Sequence, residues 1–234
     1  MMSESEQTSH PRFFGRRKGR PLSANMQRLL DHILPQFSIA PSEQTLSLDS
    51  LSASRGKIYD RLVLEIGFGG GEHLAQQASA HPDTLFIGAE PYINGVVSLA
   101  RQIEDNRLEN ILIWPDDVRI MLGRLAPAAL DGCYILFPDP WPKARHSSRR
   151  IVNQAMLDIL SQTIKPSGFL RMASDHPVAQ SWLLAESLNH GQFFWTASCA
   201  SDWRQRPDGW PETRYMAKGV REGRASVWFD FARR

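Results

Sequence analysis

Short apolar runs alternate with amphipathic stretches from residue 61 onward, and this alternation limits the possible folds more than any other feature of the sequence. Buried strands are predicted at 62–64, 84–89, 110–114, 132–137 and 169–173. Helices are predicted at 72–80, 93–106, 118–125, 149–162 and 177–188. Strands that alternate with helices are typical of the α/β class, a doubly wound and mostly parallel sheet with helices on both faces.

The last part of the chain breaks this alternation. Strands predicted at 192–196 and 226–231 have only a loop between them, so we expect them to form an antiparallel pair at one edge. The predicted sheet therefore has seven strands, and the domain that contains it spans residues 58–234.

Two further segments precede this domain. Residues 1–22 have almost no periodic apolar pattern and form a basic arm that we expect to be flexible. Residues 23–57 combine a short helix, with Ser23 as its N-cap, and a Ser-rich connector. The arm has two interpretations, a solvated tail or a segment whose cations contact nucleic-acid phosphates. The candidate contacts are Arg16, Arg17 and Lys18.

Charge and cysteine content limit the class of protein. The 27 Lys+Arg and 25 Asp+Glu give a net charge of +2, so a nucleic-acid partner needs a local basic face. The two cysteines lack the spacing of zinc ligands, and we expect no metal site. The N-terminus lacks a signal-peptide core and no apolar run is long enough to span a bilayer, so we expect a cytoplasmic protein without a membrane partner.

A glycine-rich turn, residues 67–71 (GFGGG), joins the first strand to the first helix. Glycine permits positive φ angles and lets a ligand approach the backbone closely, which makes Gly67 and Gly69 candidate contacts. The dinucleotide fingerprint requires a further glycine where Glu72 stands, and a carboxylate at a helix start repels a diphosphate. A ligand with positive charge fits Glu65 and Glu72 better.

Acidic residues follow the next two strands. Glu90 ends the second strand, where a carboxylate can accept hydrogen bonds from both hydroxyls of a ribose. Asp116 and Asp117 follow the third strand, where a carboxylate or the backbone can meet an adenine amino group. With the glycine turn, these residues indicate an adenosine that carries a sulfonium, S-adenosylmethionine. The alternative is that they are only helix caps and solvated turn residues.

The stretch 137–146 (FPDPWPKARH) follows the fourth strand and contains three prolines. Proline prevents both helix formation and strand pairing here, so the strand ends and Asp139 lies at its carboxyl end. In open α/β sheets this edge is where ligands bind. The alternative is a proline-stiffened loop with a solvated acid.

With these features together, the chain resembles the class I S-adenosylmethionine-dependent methyltransferases, and within them the bacterial tRNA (guanine-N7-)-methyltransferase family. The resemblance runs from about residue 55 to the C-terminus. It depends on 64–71 (LEIGFGGG), 88–90 (GAE), 137–146 with Arg149 and Arg150 behind it, 173–175 (ASD) and 213–215 (TRY). The stretch 137–146 is the most specific of these. The family implies methyl transfer to N7 of a tRNA guanine in the variable loop, at tRNA position 46.

The resemblance also implies roles for individual residues. Those expected at the cofactor and the active site are Glu65, Glu90, Asp117 and Asp139, with Asp139 as the catalytic residue and Asp117 preferred over Asp116. Those expected at the guanine are Lys143, Asp175, Thr213, Arg214, Tyr215 and Met216.

Cations cluster behind the proline-rich stretch. A cation at guanine N7 would compete for the lone pair that accepts the methyl group, so we expect this cluster to contact phosphates instead. Its members are Lys143, Arg145, His146, Arg149 and Arg150. The alternative is a solvated helix start. Because N7 presents its lone pair at neutral pH, the expected task of the site is alignment of two reactants.

One residue departs from the family pattern. The family usually has Glu after Thr-x-Phe/Tyr, and this chain has Met216. We expect Met216 to pack against the base through its thioether, and Met216→Glu to raise guanine affinity modestly. The alternative is an enzyme that is slower or less selective than its relatives.

Two other functions stay open. One is a non-catalytic RNA-binding protein on the same fold, which the cofactor residues disfavour. The other is a methyltransferase for a small amine or a protein, which the basic residues disfavour. The expected partner is tRNA, bound by a monomer or homodimer that needs no obligatory protein partner.

Overall fold

A computed structural model describes residues 13–42, 44–211 and 213–234, and within them the chain forms a seven-stranded sheet. Its strands are β1 Arg61–Ile66, β2 Thr84–Ala89, β3 Ile111–Trp114, β4 Leu130–Leu136, β5 Ile164–Ser174, β6 Phe193–Trp195 and β7 Val227–Arg233. The spatial order is β3-β2-β1-β4-β5-β7-β6. Strands β1 to β5 pair in parallel, whereas β7 is antiparallel to both β5 and β6. The predicted sheet and its antiparallel edge pair are therefore confirmed.

Helices surround this sheet. They are α1 Ala24–Arg28, α2 Leu34–Phe37, α3 Leu48–Arg55, α4 Glu72–Ala80, α5 Ile93–Asn106, α6 Val118–Leu122, α7 Gln154–Thr163, α8 Pro177–His190, α9 Ser201–Arg204 and α10 Arg214–Arg221. A π-helical turn joins α1 to α2, and a 3-10 helix, Ala144–Arg149, precedes α7. None of the helices in the described residues combines the length and the apolar character that crossing a bilayer demands.

The apolar core lies on both faces of the sheet. Alternate side chains of β1 point to opposite faces, so Leu62 and Leu64 belong to one buried cluster and Val63 to another. This two-sided burial explains why the parallel strands read as continuous apolar runs. It leaves the carboxyl ends of the strands as the place where polar side chains can gather.

Three local features differ from the sequence-based expectation. The segment predicted as a connector contains α3, which begins at a capping box between Ser47 and Ser50 and ends at Gly56 with φ 63°. Helix α7 begins at Gln154, after Asn153, whose side chain accepts the Met156 N–H. We expected this helix to begin near residue 149. Helix α10 was not expected.

Candidate active site

The carboxyl ends of β2, β1 and β4 lie side by side in the sheet. Glu65 on β1 is in register with Gly88 on β2 and with Tyr134 on β4. Glu90 follows β2 and Asp139 follows β4, so the three predicted acids share one edge. The electrostatic effect of Glu65 and Asp139 on Glu90 agrees with this proximity.

We call this edge, with its three acids, the pocket, and the turn 67–71 lies beside it. Gly67, Gly69 and Gly71 have φ angles of 74°, 57° and 81°, a region that glycine adopts without strain. The first of these donates its N–H to the Ala89 carbonyl oxygen at 2.8 Å, which fixes the turn against β2. A side chain at Gly95 on α5 would lie 2.2 Å from the Gly69 carbonyl oxygen, so the turn and α5 are in close contact. The backbone of the turn is thus held in place for a ligand.

The Glu90 carboxylate is bound from two sides by the backbone. Its two oxygens accept the N–H groups of Gly69 and Tyr92, both at 2.9 Å. Burial raises the pKa of Glu90, the two backbone hydrogen bonds oppose this shift, and the negative charges of Asp139 and Glu65 add to it. A carboxylate has about four lone-pair sites. Two backbone bonds therefore leave acceptor capacity for ribose hydroxyls.

Glu65 contacts a histidine that the sequence analysis did not single out. Its Oε2 lies 2.7 Å from Nδ1 of His73 on α4, and both side chains are 2% exposed. The signal that points to His73 is its place as the second residue of the helix that follows the glycine turn. A strand, a tight turn and a helix bring that position back to the end of the strand.

Both aspartates that follow β3 already have partners. Asp117 is buried, accepts the Arg119 backbone N–H at 3.0 Å as the N-cap of α6, and also pairs with the Arg119 guanidinium. The more exposed Asp116 lies 2.7 Å from the Arg17 guanidinium. The structure thus places both acids at the expected edge, and the adenine role of Asp117 stays a prediction.

The loop that carries Asp139 is strained and well supported. Phe137 and Trp141 have φ angles of 50° and 38°, which cost non-glycine residues on the order of 1–3 kcal/mol each. Phe137 donates its N–H to the Ala173 carbonyl oxygen on β5 at 2.8 Å. Asp139 itself is exposed. Backbone strain of this kind is typical of functional loops.

Arg150 supports this loop from below. Its guanidinium donates to the carbonyl oxygens of Pro140 at 3.2 Å and Trp141 at 3.0 Å, and lies 4.3 Å from the Trp182 ring centroid. The side chain is 9% exposed. We expected Arg150 to contact phosphates. The structure places it beneath the loop instead, where it fixes the backbone at Pro140 and at the strained Trp141.

The other cations lie on the surface around the loop. Lys143 and Arg145 are exposed. The Arg149 guanidinium lies 5.1 Å from the Phe14 ring and 4.9 Å from the Trp141 ring. Desolvation, and then the charges of Arg149, Arg145 and Lys143, lower the pKa of His146. An uncharged His146 leaves the positive charge of this surface to Lys and Arg.

Except for Lys143, which lies in the loop after β4, the predicted guanine-binding residues lie at or next to α10. The Asp175 Oδ2 accepts a hydrogen bond from Arg224 Nε at 2.9 Å, and a side chain at Gly219 would come within 2.4 Å of the same oxygen. Thr213 is buried, and its hydroxyl accepts the Met216 N–H at 3.3 Å. The side chains of Arg214 and Tyr215, two further predicted contacts, lie outside the described part of the structure.

Met216 is buried rather than displayed on the surface. It is 6% exposed and belongs to the apolar cluster that contains Phe68 and Trp210. Its side chain therefore packs into the protein at the back of the pocket, which differs from the expected position against a base.

Residues 13–22 of the basic arm cross the carboxyl edge of the sheet. Asn94 accepts the Gly19 N–H at 3.0 Å and donates to the Arg20 carbonyl oxygen at 3.2 Å. The Arg17 carbonyl oxygen accepts the Ile93 N–H. Arg16 and Lys18 stay exposed beside these contacts, and residues 1–12 lie outside the described part.

Solved structures support the fold. An antibiotic-related methyltransferase superimposes with a TM-score of 0.55 at 17% identity, over 85% of this chain and 97% of that chain. The W203A mutant of the 16S rRNA (adenine(1408)-N(1))-methyltransferase from Catenulisporales acidiphilia, solved with its cosubstrate SAM, gives 0.53 at 15% identity, over 81% and 92%.

Sequence comparisons identify the family. The model Methyltransf_4, described as "Putative methyltransferase", matches residues 60–228. The tRNA (guanine-N(7)-)-methyltransferase of Rhodospirillum rubrum is 44% identical over 97% of this chain and 89% of its own length. The enzymes of that name from Rhizobium meliloti and Chelativorans sp. are 42% and 39% identical, over 94% and 100% of both chains. The resemblance inferred from the sequence is thus confirmed, and the chain belongs to the tRNA (guanine-N(7)-)-methyltransferase family.

Proposed function

We propose that this protein transfers a methyl group from S-adenosylmethionine to N7 of a guanine in tRNA, in the cytoplasm. The observation that carries the proposal is the change of charge across the pocket. Buried carboxylates lie along β1 and β2, and cations surround the Asp139 loop at the end of β4. A cationic cofactor and an anionic polynucleotide need these opposite environments. The names of the relatives in Rhodospirillum and Rhizobium support the same conclusion.

The residues of the pocket fit S-adenosylmethionine. The Glu90 carboxylate keeps acceptor capacity for ribose hydroxyls, and Glu65 presents a negative charge to the ammonium group. The positive φ angles of the turn 67–71 leave its backbone open to close approach. Asp117 and Asp116 are the candidates for the adenine edge. When bound, the cofactor supplies a methyl group on a sulfonium.

The site needs no general base at the guanine. N7 has a lone pair at neutral pH, so the task of the protein is to hold the base in line, which can be worth roughly 7–11 kcal/mol of barrier. We assign the N1–H and N2–H groups of guanine to Asp139 and Asp175. The second of these is bound to Arg224 in the structure, so the base would have to share or replace that cation.

The surface cations serve the rest of the tRNA. Lys143, Arg145 and Arg149 flank the Asp139 loop, and Arg16 and Lys18 lie on the arm at the neighbouring edge. We assign these side chains to phosphates, whose contacts position a nucleic acid without reading its sequence. The target position, the variable-loop guanine 46, is proposed from the family resemblance.

A methylation assay tests the proposal. The protein is incubated with tRNA and labelled S-adenosylmethionine, and the product is cleaved at 7-methylguanine. We expect one strand break in the variable loop, and far less cleavage with Asp139→Asn after the same incubation time. Binding of tRNA without any methylation would overturn the proposal in favour of a non-catalytic RNA-binding protein. Label on another base or on protein would overturn the choice of substrate.

A further inference from the structure

His73 is a buried titratable residue that the proposed reaction does not use. It is 2% exposed and its ring packs against two aromatic rings that also contact each other, with centroids 4.8 Å from Tyr134 and 4.2 Å from Trp210. Its Nε2 is buried and has no hydrogen-bond partner within residues 13–42, 44–211 and 213–234. Native structures rarely leave such an atom unpaired without a reason, so the residue requires an explanation.

The other ring nitrogen provides the explanation. Nδ1 lies 2.7 Å from Glu65 Oε2, a short distance for a hydrogen bond to a carboxylate. A carboxylate can only accept, so Nδ1 carries the proton and donates it. The donated bond fixes one oxygen of Glu65 and leaves the lone pairs of the other for a ligand.

The surroundings of Glu65 call for such a donor. Glu65 is 2% exposed and lies close enough to Glu90 for the two negative charges to affect each other. A buried polar group needs a hydrogen-bond partner, and His73 supplies one for Glu65. The rings of Tyr134 and Trp210 pack against the His73 ring and restrict its rotation.

We propose that His73 is a positioning residue that holds the Glu65 carboxylate ready for the ammonium group of the cofactor's methionine portion. The inference rests on the proposed function, because it takes Glu65 as the acceptor for that group. His73 itself makes no contact with the ligand. Its role is to fix the orientation of the Glu65 carboxylate inside the protein.

Two ligands separate this role from simple packing. S-Adenosylhomocysteine has the ammonium group, whereas 5′-methylthioadenosine has the same nucleoside and thioether without it. In His73→Phe the ring still packs against Tyr134 and Trp210 but donates no hydrogen bond. We expect S-adenosylhomocysteine to bind about tenfold or more weakly to this variant by calorimetry, the effect of losing one charge-assisted hydrogen bond. The affinity for 5′-methylthioadenosine should stay unchanged.

Two further variants complete the experiment. His73→Gln keeps a donor and should recover most of the lost affinity. His190→Phe is the matched control, because His190 also has a 4% exposed side chain, bonds a carboxylate (Asp158, 3.0 Å) and packs near an aromatic ring (Phe193, 5.6 Å) away from the pocket. It should bind both ligands as the unchanged protein does.

The results that overturn the inference are distinct from those that overturn the proposed function. Equal weakening of both ligands by His73→Phe would make His73 a packing residue, and no weakening of either would give it no role. If the unchanged protein binds neither ligand, the proposed function fails instead. Should His73→Phe not fold, imidazole nitrogen NMR of the unchanged protein decides. The His73 signal should shift with S-adenosylhomocysteine and stay fixed with 5′-methylthioadenosine, and the reverse result contradicts the inference.

Discussion

The two sides of the pocket are built in different ways. The side that we propose for the cofactor, called the cofactor side, comprises Glu65, Glu90 and the turn 67–71. It is buried, acidic and held by backbone hydrogen bonds. The side that we propose for the substrate, called the substrate side, comprises Asp139, the cations from Lys143 to Arg149, and Asp175. It is more exposed and is supported by prolines, aromatic rings and the buried Arg150. The difference shows that a small ligand can be matched by fixed buried charges, whereas a large polyanion requires a charged surface around one well-placed acid.

Removal of the acid on the substrate side should have the largest effect. Asp139→Asn is expected to lower the single-turnover rate of methyl transfer by roughly 10²–10³, the usual result of removing one preorganised polar group at a reacting centre. Because Asp139 is exposed, the melting temperature should stay the same. An unchanged rate would show that the substrate side acts only through phosphate contacts.

Substitution on the cofactor side should change binding rather than the bound-state rate. Glu90→Gln is expected to weaken S-adenosylmethionine binding by about 1.5–3 kcal/mol, the cost of losing a charge-assisted hydrogen bond. Calorimetry measures the change, and Glu104→Gln, which removes a surface ion pair with Arg28, is the control. Equal effects of both variants would remove Glu90 from the ribose site.

The buried Met216 tests whether its surroundings must stay apolar. Since its side chain belongs to the apolar cluster that contains Phe68 and Trp210, Met216→Glu should lower the free energy of unfolding by about 1–3 kcal/mol, as expected for a polar group buried without a partner. Thermal unfolding measures this cost. A rise in guanine affinity at unchanged stability would instead support the expectation drawn from the sequence.

A pH titration of cofactor binding tests whether Glu90 is the acceptor on the cofactor side. Because burial raises the pKa of Glu90, this carboxyl takes up its proton at a higher pH than an ordinary Glu and then loses acceptor capacity. Affinity for S-adenosylhomocysteine should therefore fall as pH falls through the raised pKa, by at most about tenfold per pH unit. The same titration of Glu90→Gln should be flatter, and parallel curves would assign the effect to another group.

The smallest effect is expected from the arm. Deletion of residues 1–20 should flatten the salt dependence of tRNA binding, by roughly 0.7–0.9 in log–log slope for each phosphate that the arm neutralises in the full chain. Lys57→Ala, which removes a cation outside both sides of the pocket, is the control. If slope and affinity both stay unchanged, the arm does not contact tRNA and serves only to pack against Asp116 and Asn94.

The cofactor side was easier to predict from the sequence than the substrate side. Helices α4 and α5 and strand β2 have the predicted bounds, because strand, glycine turn and helix follow one another within a few residues. Glu90 ends the next strand of the same strand–turn–helix–strand unit, so its contact with the turn joins neighbouring elements. By contrast, the Asp175–Arg224 ion pair on the substrate side joins residues far apart in the chain, and no local pattern indicates it.

The helices that were missed have specific reasons. Helix α3 is rich in serine, which hid the signals at Ser47 and Gly56. Helix α10 contains Gly219, which is unfavourable in a helix, but a side chain there would collide with Asp175. The burial of Arg150 was hidden by its position in a run of cations. For α10 and Arg150 a tertiary contact that the sequence does not reveal determined the structure, whereas the signals for α3 were local.

The prolines of the Asp139 loop have a consequence for the unfolded chain. Pro138, Pro140 and Pro142 each restrict the backbone before folding, so ordering this exposed segment loses less conformational entropy than ordering another sequence of equal length. The loop can therefore hold its acid in a fixed position although few buried contacts surround it. The fixed position of Asp139 therefore comes in part from restrictions on the unfolded chain, which act before any ligand is bound.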